Sequence, residues 1–223
     1  MPEKVLVVAP HPDDEVLGCG GVMARHAAAG DEVHVVVVTR GHPDVFSAES
    51  VERVRSELHE AHAILGVSSS RFLDFPAPRM DSVPRHTVSD AISQVLGQLQ
   101  PHTMYVPHPG DLHFEHGLIF EACLVAARPL DGTAVRRLLA YETLSETEWG
   151  SPAAHTAFQP TVYIDIGQSM EKKLAAFSCF RSQVKPFPHP RSLVAIGALA
   201  QFRGAAAHLE FAEAFWLVRE IVD

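Results

Sequence analysis

Short apolar runs alternate with longer amphipathic stretches through the first two thirds of the chain. Residues 4–10 are valine-rich and nearly free of polar groups, the composition of a strand buried on both faces of a parallel sheet. Residues 16–29 follow as a helix stopped by Gly30, and 32–40 (EVHVVVVTR) repeat the buried-strand pattern, so a β-α-β unit is predicted. A second cycle reads as a helix over 48–65 ended by Gly66, a strand over 71–75, a helix over 88–99 and a strand over 103–107. A third step gives a helix over 115–128 and a strand over 137–142. Strands alternating with helices of this length imply right-handed crossovers and a Rossmann-like, doubly wound α/β layer structure with a mostly parallel sheet and helices on both faces.

After Glu142 the rhythm breaks into a polar loop over 143–160, then a strand over 161–167 and three helical segments ending at Val222. No repeat, low-complexity tract or composition shift sets this portion apart. The expectation is one domain over residues 1–223, with 143–223 packing on the 1–142 core and shaping its pocket.

With 223 residues and 47% hydrophobic content the chain has material for one well-buried core. A net charge of -9 opposes a nucleic-acid or anionic-membrane partner, which would need a basic face, and leaves a small molecule as the expected ligand. Cys19, Cys123 and Cys179 lie far apart without a CxxC spacing, which indicates neither a disulfide framework nor a thiolate metal site and suits a reducing cytoplasm. No export signal or membrane-spanning run is visible.

Two polar clusters stand out: His11-Pro12-Asp13-Asp14-Glu15 and Asp111-Leu112-His113-Phe114-Glu115-His116. Each follows a predicted buried strand, so both belong at carboxyl ends of strands. A strand order of 3-2-1-4-5 makes strands one and four neighbours where the winding reverses, the place where ligands bind in such sheets. Imidazole and carboxylate donors without thiolate, three in number with one position open, are the catalytic rather than the structural zinc pattern. His11, Asp14 and His116 supply that set. Asp13 points differently from Asp14 on a turn, which frees it to accept a proton from water acidified by the metal.

These residues carry a resemblance to the LmbE-like, or PIG-L, deacetylases. PHPDDE (10–15) and HFEH (113–116) match the two family segments, and GCGG, ELHEAHAILGV, YETLSETEW, SQV, HPRS and FAEAF are similar to the small bacterial branch. The resemblance implies one zinc ion on His11, Asp14 and His116, Asp13 as general base and His113 as assisting residue. It implies removal of an N-acetyl group from an amino sugar or sugar conjugate by attack of zinc-bound hydroxide on the amide. It also leaves a homo-oligomer open, with Phe202, Phe211, Phe215 and Trp216 serving an interface or, as the simpler expectation, the core. Phe114 and Glu115 stand where proline and aspartate are usual; Glu115 or Asp111 would support His113 by accepting a hydrogen bond.

Rival readings are an amidase for a non-sugar acetamide or thiol conjugate, a metal phosphoesterase, and a non-catalytic metal-binding module. His2Asp ligation also accepts iron(II), cobalt or nickel. Arg55 and Arg191 offer guanidinium forks for a substrate hydroxyl or phosphate, with salt bridges equally expected. Gly18, Gly20 and Gly21 read as close helix packing rather than a phosphate loop, and His59 and His62 as a solvated helix face. His108, His189 and His208 are pocket candidates; His26, His34, His42, His86, His102 and His155 carry no assigned role.

Overall fold

The computed structural model describes residues 2–130, 134–151, 153 and 157–222; His155 lies outside them. Among the described residues, seven strands form one sheet in the order β3-β2-β1-β4-β5-β7-β6. They are β1 (Lys4–Ala9), β2 (Glu32–Gly41), β3 (Ser69–Ala77), β4 (Thr103–Pro107), β5 (Arg137–Tyr141), β6 (Val162–Asp165) and β7 (Ala212–Glu220). The first five pair in parallel, and β7 runs antiparallel to both β5 and β6. The doubly wound sheet expected from the alternation is present, with its reversal between β1 and β4.

Among the described residues, six α-helices cover the sheet: α1 (Asp14–Ala29), α2 (Ala48–Leu65), α3 (Arg85–Leu99), α4 (Phe114–Ala126), α5 (Met170–Ser178) and α6 (Leu193–Ala205). Successive residues of a strand face opposite ways, so β1 feeds two cores at once. Val5, Val7 and Ala9 meet α1, α2, α5 and α6, while Leu6 and Val8 meet α3 and α4. This is why β1 is apolar at every position from Val5 to Ala9 instead of at alternate ones.

The three helical segments expected at the end of the chain are instead two helices and a strand. In residues 211–218 (FAEAFWLV) both faces are apolar, so period alone does not separate a short helix from a two-faced strand. Phe215 and Leu217 belong to one core, Trp216 and Val218 to the other, an alternation only a strand produces. Of the aromatic positions expected in the core, Phe215 is fully buried, Phe211 and Trp216 partly so, and Phe202 is exposed.

The glycines of α1 serve close packing. A Cβ on Gly18 would stand 2.2 Å from the Tyr141 ring, and one on Gly21 would stand 2.7 Å from Ile166. An ion pair that the sequence does not announce lies against the same turn. Lys173 Nζ is 2.6 Å from Glu213 Oε1 and donates to the Leu17 carbonyl at 2.7 Å. Glu213 accepts from the Gly21 and Val22 N–H groups at 2.8 and 2.7 Å. Both residues are buried, and they tie α5 and β7 to the helix that begins at the metal-type cluster.

Candidate active site

The first cluster occupies the four-residue turn 10–13 between β1 and α1 and runs on into the first turn of α1. Thr39 holds the exit from β1, its hydroxyl donating to the Pro10 carbonyl at 2.8 Å. Asp13 then takes a left-handed backbone conformation (φ 112°), a region that non-glycine residues adopt rarely and at a cost of order 1–3 kcal/mol. Its N–H is met by Glu15 Oε2 at 3.1 Å. The other carboxylate oxygen of Glu15 lies 3.1 Å from His62 Nε2, and His62 Nδ1 lies 2.6 Å from the Ser70 hydroxyl. His62 is therefore buried, not on a solvated helix face as its sequence context suggested, because α2 turns it inward onto Glu15. His59 is exposed.

The helix begins two residues earlier than the apolar pattern indicated, which puts Asp14 in the first turn, where the helix dipole favours a carboxylate. Asp14 Oδ2 accepts from the His11 backbone N–H at 2.9 Å and lies 3.2 Å from His11 Nδ1 and 3.3 Å from His116 Nε2. Burial pushes the Asp14 carboxyl upward, but His116 and His11 outweigh it and hold the group well below its ordinary value.

The second cluster arrives from the end of β4, with His113 as the residue before α4 and His116 in its first turn. His11, His113 and His116 each bring one ring nitrogen into a group whose atoms all lie within 4.8 Å of one another. His116 is fully buried, and its Nδ1 is fixed by Asp111 Oδ2 at 2.8 Å. Asp111 is held in turn by the Thr147 hydroxyl at 2.6 Å. Burial disfavours the imidazolium of His116, yet Asp14 and Asp111 lift its pKa to about 10. The space between these carboxylates thus favours positive charge.

Asp111 therefore supports His116, not His113, and Glu115 is buried in the first turn of α4 along the pocket wall. The carboxylate that meets His113 is one the sequence did not single out. Glu146 Oε1 is 3.2 Å from His113 Nδ1, and Oε2 accepts the His113 backbone N–H at 3.2 Å. Burial raises Glu146 to about 7. Burial, with His11 and His116 close by, lowers His113.

Arg191 reaches the site from the far end of the chain. It donates to Asp13 Oδ2 at 3.0 Å, to Gln183 Oε1 at 2.6 Å and to the Ser145 hydroxyl at 2.7 Å, so its fork is taken up largely by the protein. Asp13 is buried; burial raises its carboxyl, Arg191 opposes this, and Asp14, Glu15 and Glu146 add to it, leaving the group well above its ordinary value. Arg55 pairs with Asp74 and lies 4.4 Å over the Phe72 ring in the pocket wall. His108 is buried against Phe158 and Trp216. His189 accepts from the Arg191 N–H and packs on Trp149, and His208 is exposed; none of the three lines the pocket.

His11, Asp13 and His113 open onto a pocket of about 570 Å³. Two buried atoms beneath it meet no hydrogen-bond geometry among the described residues: Asp14 Oδ1 has no partner, and His116 Nε2 has only the 3.3 Å approach of Asp14 Oδ2. Buried polar atoms are ordinarily satisfied, and these two belong to a carboxylate and to an imidazole whose other nitrogen is fixed by a carboxylate, the usual arrangement of a metal-ligating histidine. The donors present fit a divalent transition-metal ion.

Residues 6–127 match the family described as PIG-L, GlcNAc-PI de-N-acetylase. The chain is 28% identical over 183 residues to an uncharacterized deacetylase, YaiS, of Escherichia coli K12, covering 80% of this chain and 90% of that protein. It is 25% identical to the 1D-myo-inositol 2-acetamido-2-deoxy-alpha-D-glucopyranoside deacetylase of Mycobacterium sp. JLS, covering 85% and 77%. Among solved structures, a conserved protein of Thermus thermophilus superimposes with a TM-score of 0.80 at 26% identity over 99% of this chain and 97% of that one. The 4-carboxy-2-hydroxymuconate hydratase of Pseudomonas putida KT2440 shares the fold at a TM-score of 0.77 and 22% identity, covering 99% and 98%; the fold alone does not name the reaction.

Proposed function

Because the chain belongs to the PIG-L de-N-acetylase family, we propose that it is a metal-dependent hydrolase that removes an acetyl group from the nitrogen of an amino sugar or sugar conjugate. The observation that carries the reading is the buried, unpartnered Asp14 Oδ1, set beside His11 and the Asp111-braced His116 and below an open pocket. His11, Asp14 and His116 would hold the ion, with zinc the expected metal. When bound, the ion supplies Lewis acidity, polarising the amide carbonyl and acidifying water.

The remaining chemistry is done by side chains. Asp13 acts as general base: Arg191 occupies Oδ2, which leaves Oδ1 to take the proton from the attacking water and return it to the departing nitrogen. His113, braced at Nδ1 by Glu146, presents its other ring nitrogen to the carbonyl oxygen as negative charge develops there. Glu146 thus takes the supporting part expected of Glu115 or Asp111. The ion-binding function of His116 is in turn set by Asp111 and Thr147.

The relatives named for acetamidoglucosides support a sugar substrate for this chain. The test is amine release by the zinc-loaded protein from N-acetylglucosamine, its glycosides and simple acetamides such as N-acetylputrescine. The expected result is release from the sugars at a kcat/KM at least about tenfold above the acetamides, since hydroxyl-specific contacts are each worth about 1 kcal/mol or more. Equal or preferential release from the simple acetamides would replace the sugar class with a non-sugar amide.

A further inference from the structure

The pocket continues well past the groups that hydrolysis uses. Its volume of about 570 Å³ falls within the roughly 300–1,000 Å³ of sites that enclose most of a drug-sized ligand, whereas an acetamide fills only the histidine end. Much of the remainder is apolar: Val45 and Phe46 after β2, Phe72 on β3 and Phe114 at the start of α4 line it. Val45, Phe46 and Phe114 are 58%, 46% and 48% exposed, so three large apolar side chains stand in water around one cleft.

This wall is built rather than loose. The His42 N–H donates to the Ala77 carbonyl at 2.7 Å, and the Val45 and Phe46 N–H groups return to the His42 carbonyl at 2.9 Å. Arg79 secures Asp44 of the same turn at 2.7 Å. A Cβ on Gly41 would stand 2.8 Å from the Phe46 ring, so the ring is laid on bare backbone at the end of β2. Charge marks the same region. Arg55 is matched by Asp74, but Arg40 and Arg53, which also line the pocket, have no ion-pair partner among the described residues. Two unmatched guanidinium groups, in a chain of net charge -9, are complementary to an anion.

We propose that this region is a substrate subsite that binds an aromatic or similarly bulky apolar substituent carrying an anionic group, located on the amine-bearing part of the substrate. The inference rests on the deacetylase reading of the same site, and it makes the preferred substrate an acidic, apolar conjugate rather than a free amino sugar. The ring of the substituent lies against Phe46 and Phe114, and the anion is met by Arg40 and Arg53.

The probes are N-acetylglucosamine, its phenyl glycoside and its 4-carboxyphenyl glycoside. We expect kcat/KM to rise about tenfold on adding the ring, as burial of an aromatic group provides, and about tenfold again on adding the carboxylate. Phe46→Ala should bring the first ratio toward one, and the Arg40→Ala/Arg53→Ala double variant the second. Each ratio compares substrates within one variant, so a general loss of active protein cancels. Equal kcat/KM on all three substrates, or ratios that survive both changes, would overturn the subsite. If the zinc-loaded wild type releases amine from none of them, the deacetylase reading fails, and the subsite is judged by the Kd of the 4-carboxyphenyl glycoside. Weakening of about tenfold in each variant would sustain it, and an unmoved Kd would overturn it.

Discussion

Asp13→Asn should reduce amine release by about 10²- to 10⁴-fold, the usual contribution of a positioned general base, while leaving the metal content unchanged. The substitution is nearly isosteric. Asparagine tolerates the left-handed backbone that residue 13 adopts, and its amide oxygen can still accept from Arg191 Nη1, which now meets Asp13 Oδ2 at 3.0 Å. The proposed ligands His11, Asp14 and His116 are untouched. What the variant loses is the capacity to take a proton. Single-turnover assays with zinc analysis of the same sample separate the outcomes: full turnover with full zinc removes Asp13 from the role of base, and loss of zinc shows that the residue shapes the metal site instead.

Lys173→Met should destabilise the protein by about 3–5 kcal/mol, the penalty for leaving a buried charge without its partner. Glu213 would keep the Gly21 and Val22 N–H groups, but the ammonium 2.6 Å away would be gone and the Leu17 carbonyl would lose its donor. For a chain of this size each kcal/mol moves the melting temperature by about 2–4 °C, so a fall of at least about 6 °C is expected from the lower bound of that penalty. Pairing the change with Glu213→Gln removes the buried charge and retains an acceptor for the α1 N–H groups, so the double variant should recover a large part of the loss. A Lys173→Met protein that melts with the wild type would show that the pair contributes little net stability.

Much of the sheet was legible because its central strands are buried on both faces and must be apolar at nearly every position. The same property concealed β7: FAEAFWLV is apolar on both sides, and only the tertiary environment distinguishes that from a short buried helix. The two chemical clusters were legible because a polar run directly after a buried strand can occur only at the strand's end. The topology then brings the ends of β1 and β4 together.

The groups that brace the site were not legible, for a common reason. His62 meets Glu15 across 47 residues and Arg191 meets Asp13 across 178, and neither pairing leaves a periodic trace. Glu146 sits in a loop with Glu142 and Glu148, where no pattern says which carboxylate turns inward; its place in the YETLSETEW segment was the available signal. Lys173 looks like any exposed lysine of a short amphipathic helix until Glu213 is seen opposite it.

Hydrolysis of an N-acetyl group with a metal held by His11, Asp14 and His116 is open to one decisive assay. Amine release from N-acetylglucosamine or its phenyl glycoside is followed with the purified protein before chelation, after chelation, and after zinc is restored, with the metal counted at each stage. Expected are about one ion per chain at full activity, loss of activity with the ion, and recovery of both together. Undiminished amine release from protein stripped of metal, or failure to retain any ion after zinc is added, would contradict this assignment.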